Sequence, residues 1–98
     1  MKGPSMNPGV LTDEVLKKHL SSLKGWILEG NLIKRKVELE DFVHAMGFVN
    51  SVALLAEKLN HHPDIDIRWN TVTLVLSTHS AGGLTDLDMK LAEMINAL

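Results

Sequence analysis

Five of the 98 residues are histidines, and two of them, His61 and His62, are adjacent. An unperturbed imidazole titrates near ~6.5, so it can give or take a proton at neutral pH. Histidines that converge therefore point to general acid–base work. The residues between His62 and His79 bear on whether these rings meet. Ile65, Ile67 and Trp69 alternate with Asp66, Arg68 and Asn70, and Val72, Leu74 and Leu76 alternate with Thr71, Thr73, Val75 and Ser77. Both runs have the two-residue period of a strand. A two-residue turn at Asn70-Thr71 pairs Trp69 with Val72, Ile67 with Leu74 and Ile65 with Leu76. All six apolar side chains then share one face. Extended outwards, the same register sets His62 opposite His79, with His61 alongside.

Other chemistries fit these residues less well. Three imidazoles are enough for zinc, but consecutive residues of an extended chain point to opposite faces, so His61 and His62 should diverge. No His-Glu-x-x-His pattern is present, and no metal is expected. Ser77, Thr78 and Ser80 flank His79 without the Gly-x-Ser-x-Gly elbow of a serine nucleophile. Gly82-Gly83 lacks the spacing of a phosphate-binding loop. Glu57 lies one helical turn before His61 and can hydrogen-bond that ring. Asp88 has two readings. It is the third helical residue after Thr85, where it would cap a helix, or an acid near His79 that orients a ring; the cap is the favoured one. His19 and His44 fall on helix faces away from the apolar stripes and read as solvated surface residues.

The elements that must position these groups follow from periodicity. Leu11 to Leu23 reads as a helix capped by Thr12, with Leu16, Leu20 and Leu23 as its buried stripe and Gly25 as its stop. Trp26–Leu28 and Leu32–Leu39 read as strands joined at Gly30-Asn31, a hairpin signal. Asp41 to about Asn60 is the longest helix. Phe42, Ala45, Met46, Val49, Val52, Ala53, Ala56 and Leu59 form its core stripe, while Val43, Gly47 and Leu54 lie on a separate side. Pro63 stops the helical pattern. Leu84 to Leu98 reads as the last helix, capped by Thr85, with Leu87, Leu91, Met94, Ile95 and Leu98 facing the core. The expected fold is α+β in the order α-β-β-α-β-β-α, a four-stranded antiparallel sheet with three helices packed on one face. Residues 11–98 would form a single domain, and residues 1–10, with two Pro and two Gly, a flexible tail.

Composition narrows the function classes. Ten Lys and Arg against twelve Asp and Glu give a formal charge of −2, without the basic footprint of a nucleic-acid binder. No apolar run approaches the ~20 residues of a membrane span. Met1 to Val10 lacks the apolar stretch of a secretory signal. The absence of Cys excludes disulfides and thiolate sites, and the expected compartment is the cytoplasm. A small domain has a thin core. Together with Val43 and Leu54 this suggests a homo-oligomer, a dimer or a dimer of dimers.

One set of residues carries more information than periodicity does. Glu57, His61-His62-Pro63, Trp69, His79 and Asp88 stand at the spacings of the pterin-4a-carbinolamine dehydratases, and the sequence resembles that family. Gly25-Trp26, Asp41-Phe42, Gly47-Phe48 and Gly83-Leu84-Thr85 are also similar to it. Asn60 departs from relatives that carry Asp there. The resemblance implies a lyase without cofactor or metal, which dehydrates a 4a-hydroxytetrahydropterin to quinonoid dihydropterin and water. It would serve the aromatic amino-acid hydroxylases that generate that pterin. By the same resemblance His61 and His79 would be the acid–base groups, and His62 would mainly bind and orient the pterin. Glu57, Pro63, Thr78, Ser80, Ala81 and Asp88 would complete the pocket. A relative in animals also acts as a dimerisation cofactor of a transcription factor, so the alternative is a protein-binding adaptor built on the long helix. The intact histidine set favours the enzyme.

Overall fold

The computed structural model of the chain describes residues 9–98. The expected tail falls outside the described residues except for Gly9 and Val10, and Leu11 is already tied down, its N–H donating to the Leu84 carbonyl at 2.8 Å. The elements are α1 (Asp13–Leu20), β1 (Trp26–Glu29), β2 (Leu32–Glu38), α2 (Phe42–Leu59), β3 (Asp64–Arg68), β4 (Thr71–Leu76), a 3-10 turn (His79–Ala81) and α3 (Asp86–Asn96). The chain is thus α+β in the expected order, with one antiparallel sheet of strand order β1-β2-β4-β3.

Each element starts where its capping chemistry allows. The Thr12 side chain accepts from the Val15 N–H and the Asp41 side chain from the His44 N–H, each satisfying an orphan donor of a first turn. Gly30, at φ 59°, and Asn31 make the two-residue turn between Glu29 and Leu32. Ile33, Val72, Leu74 and Leu76 point to one side of the sheet and are fully buried under Val52, Met89, Leu91, Ala92 and Ile95 of the helices. Lys34, Lys36, Thr71, Thr73, Asp64 and Asp66 occupy the opposite face by strand parity. No helix packs there among the described residues, and this open face carries the site.

The β3–β4 register differs from the expected one. Ile65 pairs with Leu74 and Ile67 with Val72, and the turn is Trp69-Asn70 rather than Asn70-Thr71. The cause is Asn70. Its amide donates to the Leu39 carbonyl at 2.9 Å, its own carbonyl accepts the Leu39 N–H at 2.8 Å, and its side-chain oxygen accepts from the Thr71 hydroxyl. These bonds draw Asn70 inwards and leave Trp69 at the tip with φ 53°, 68% exposed. The slip is two residues, so Ile65, Ile67, Val72, Leu74 and Leu76 still share a face. Leu87, Leu98 and Phe42, expected in the core, are exposed, because Phe42 and Leu87 sit in the first turns of their helices and Leu98 lies beyond the end of α3.

The first turn of α2 offers a solution test. His44 Nδ1 lies 2.7 Å from Asp41 Oδ1 on the surface. The hydrogen bond to Asp41, then its charge, raises the ring's pKa above ~6.5. The His44 backbone N–H, then its ring, holds the Asp41 carboxyl below its usual range. A raised folded value means that this ring's contribution is fully present below the unfolded pKa and fades as pH rises through the folded one. An NMR titration should therefore place His44 above an unperturbed histidine, and Asp41→Asn should bring it down. A His44 midpoint unmoved by Asp41→Asn would contradict the pairing.

Candidate active site

The site is assembled at the end of α2. Asn60 adopts the left-handed conformation (φ 52°), which Asn tolerates, and the His61 N–H reaches back to the Ala56 carbonyl at 3.0 Å. Pro63 then restricts His62 to extended backbone. Two consecutive residues thereby send their rings in opposite directions, as the sequence suggested.

His61 turns inwards. Its Nε2 lies 2.5 Å from Asp88 Oδ1, with side chains 10% and 0% exposed. The other oxygen of Asp88, Oδ2, accepts from the Thr78 hydroxyl at 2.7 Å and from the Thr85 backbone N–H at 2.9 Å. Thr78 and Thr85 hydroxyls are themselves 2.8 Å apart. Asp88 therefore does cap α3, and it also holds a ring, that of His61 rather than His79.

His62 turns outwards, with its Nε2 2.5 Å from Glu57 Oε2 on the surface. Glu57 thus serves His62, not His61 as its i,i+4 spacing suggested; the inward turn of His61 takes that ring out of reach. His79 opens the 3-10 turn. The Thr78 carbonyl accepts from Ala81, Gly82 and Gly83 at 3.0, 3.0 and 3.3 Å, and Gly82 has the positive φ (82°) that such a reversal requires. The His79 ring has no hydrogen-bond partner among the described residues.

His62 and His79 both line a cavity of about 170 Å³ on the open face, with Asp64, Ser77, Asn31 and Gly82 among its walls. The observed register sets His62 beyond the Asp64–Val75 pair, level with Ser77 rather than His79, and the turn after β4 brings His79 back to it. His61, Asp88 and Thr78 do not line this cavity, and neither do Pro63, Ser80 or Ala81. The sequence reading missed Asp64, Ser77 and Asn31. Asp64 was within reach, since it alternates with His62 and so shares its face. Asn31 belongs to the other hairpin, and its carbonyl accepts from Ser77 Oγ at 2.9 Å. Only the placement of β2 beside β4 brings it there.

The cavity supplies two imidazoles, one free and one held by a carboxylate, beside an acid and a hydroxyl. That set can protonate a leaving hydroxyl and accept a proton. Away from it, Glu40, Asp41 and His44 bring ligand atoms within 4.8 Å of one another at the start of α2. Asp41 is already committed to capping, and a helix N-terminus disfavours a cation.

The sequence profile of the pterin 4 alpha carbinolamine dehydratases matches residues 9–98. The chain belongs to this family. A relative from Acidobacterium capsulatum, named "Putative pterin-4-alpha-carbinolamine dehydratase", is 56% identical over 88 residues, covering 90% of this chain and 96% of that one. A relative of the same name from Sulfurisphaera tokodaii is 44% identical, with 90% and 95% covered. The crystal structure of a transcriptional coactivator/pterin dehydratase from Brucella melitensis superposes with a TM-score of 0.86 at 41% identity, covering 90% and 96% of the two chains. A pterin dehydratase-like protein identified as a RuBisCO assembly factor in the alpha-carboxysome shares the fold (TM-score 0.60, 16% identity, covering 74% and 83% of the two chains).

Proposed function

We propose that this member of the dehydratase family converts a 4a-hydroxytetrahydropterin into quinonoid dihydropterin and water, with His62 and His79 as the groups that touch the substrate. The observation that carries this reading is that His62 and His79 both line the open-face cavity. In the reaction the C4a–O bond breaks as the hydroxyl takes a proton and leaves as water. The N5–H bond gives its electron pair to a new C4a=N5 double bond, and its proton goes to a base. No electron is exchanged with the protein. An acid and a base on either side of one bicyclic ring suffice. His79, with no competing hydrogen bond, suits one proton transfer, and His62, with Nε2 engaged by Glu57, has Nδ1 for the other. His61, expected from the resemblance to share the proton transfers, faces Asp88 and does not line this cavity. The direct test is the initial rate of quinonoid dihydropterin formation by purified protein, with the uncatalysed rate subtracted. A rate no greater than the blank would remove the reading and leave the adaptor role in its place.

The same reading includes self-association. Val43 and Leu54 are 76% and 73% exposed on α2, and a Cβ placed on Gly47 between them meets nothing within 4 Å. With α2 packing its other side on the core, this apolar side suits a second copy of the chain. Light scattering at micromolar concentration should give at least twice the 10.8 kDa of one chain, and Val43→Glu with Leu54→Glu should lower it. A mass of 10.8 kDa for the unaltered protein would contradict the proposal.

A further inference from the structure

Asp88 is the most completely buried charged group among the described residues, and the dehydration as written makes no use of it. Its two oxygens are engaged differently. Oδ1 faces His61, the residue immediately before His62. Oδ2 accepts from Thr78, the residue immediately before His79. One carboxylate therefore grips both segments whose next residues form the cavity. We infer that Asp88 is the positioning residue of this site, setting the separation of His62 and His79 by holding His61 and Thr78 at once.

The inference rests on the proposed dehydration for its catalytic readout, but its physical content is independent of it. A carboxylate only accepts hydrogen bonds. A neutral His61 facing Oδ1 must then carry its proton on Nε2 and leave Nδ1 bare. The substitution Asp88→Asn makes a sharper demand than simple loss of charge. The Thr85 backbone N–H cannot turn, so the oxygen of the introduced amide must take the place of Oδ2. The NH2 group of that amide then faces His61 Nε2. Two donors cannot share that contact, so the ring must adopt the opposite tautomer, with the proton on Nδ1, or swing away. In that tautomer the amide NH2 donates to the bare Nε2, so Asp88→Asn trades the charge-assisted His61 arm of the clamp for a weaker neutral one and keeps the Thr78 arm. Thr78→Val removes the Thr78 arm and keeps that of His61, and Thr78→Ser keeps the hydroxyl.

The experiment combines ¹⁵N NMR of the neutral imidazoles with steady-state kinetics on the full chain. In the unaltered protein His61 should show a protonated Nε2. In Asp88→Asn it should show a protonated Nδ1, and kcat should fall by up to about 10-fold, because a weaker neutral bond still holds the His61 arm. Thr78→Val should also lower kcat, and Thr78→Ser should regain most of that loss. Because both arms act on one geometry, Asp88→Asn with Thr78→Val should cost less than the two effects multiplied. A wild-type His61 protonated on Nδ1 overturns the inference outright. So does a Thr78→Val protein with an unchanged kcat, or a Thr78→Ser no better than Thr78→Val. If Asp88→Asn does not fold, the wild-type tautomer and the Thr78 pair decide. If the unaltered protein does not dehydrate the carbinolamine, the proposed function fails, while the tautomer measurement still decides whether Asp88 holds His61 as described.

Discussion

His79→Ala should lower kcat by about 10²–10⁴-fold, the usual contribution of one general acid or base, with little change in fold. The two halves of this expectation have separate causes. His79 lines the cavity, so truncation removes a proton-transfer group from the substrate. Its side chain is exposed and makes no hydrogen bond among the described residues, so truncation breaks no contact that supports the fold. Surface changes of that kind stay within about 0.5 kcal/mol. His62→Ala should behave similarly, because its partner Glu57 is 75% exposed and returns to water. The double variant should approach the uncatalysed rate, since acid and base serve one transition state. His61→Ala makes the contrast. Its ring is 10% exposed against Asp88, so any loss of rate should come with lost stability, about 1–3 kcal/mol for the carboxylate oxygen left unpaired. Circular dichroism melts beside initial rates separate the cases. If His79→Ala and His62→Ala each kept more than about half the rate, the chemistry would lie elsewhere.

The fold was legible because its signals are local. Thr12, Asp41 and Thr85 mark the three helix starts, Gly30-Asn31 marks the first hairpin, and apolar alternation gives the faces of β2 and β4. Parity survived even where the register failed. The β3–β4 turn was misplaced because the decision belongs to Asn70, whose bonds run to Leu39, 31 positions earlier. No local pattern carries that contact. The site was legible in part for the same reason. Pro63 dictates an extended His62, and extended backbone makes His61 and His62 diverge. Which ring faces the cavity and which faces the core depends on where Asp88 lies, and α3 carries Asp88 back across the fold. Glu57 shows the limit most clearly. Helical spacing assigns it to His61, but the left-handed Asn60 ends the helix first and rotates His62 into reach instead.

Asp88→Ala should be the most destabilising single change at this site. The carboxylate is fully buried and accepts three hydrogen bonds, from His61, from the Thr78 hydroxyl and from the Thr85 backbone N–H. Alanine leaves all three donors without their acceptor inside the protein. It also removes the acid from the first turn of α3, where it caps the helix and favours its dipole. Breaking a buried charge-assisted network by deleting one partner costs about 3–5 kcal/mol. Set against the roughly 5–15 kcal/mol that holds a typical domain together, that is a large fraction. At ~4–8 °C per kcal/mol for a domain of this size, Tm should fall by roughly 12–40 °C. Asp88→Asn should cost much less, because its amide oxygen can keep the Thr78 and Thr85 bonds and its NH2 can donate to the inverted His61 ring. The order of melting temperatures, unaltered above Asn above Ala, is the measurement. The kinetic order need not follow it. Asp88→Asn should lose some rate while keeping most of its stability, because the bond it weakens leads to the histidine segment rather than to the helix cap. If Asp88→Ala melted within about 3 °C of the unaltered protein, less than one hydrogen bond's worth would be at stake. The carboxylate could not then be the joint that ties α2, the β4 turn and α3 together.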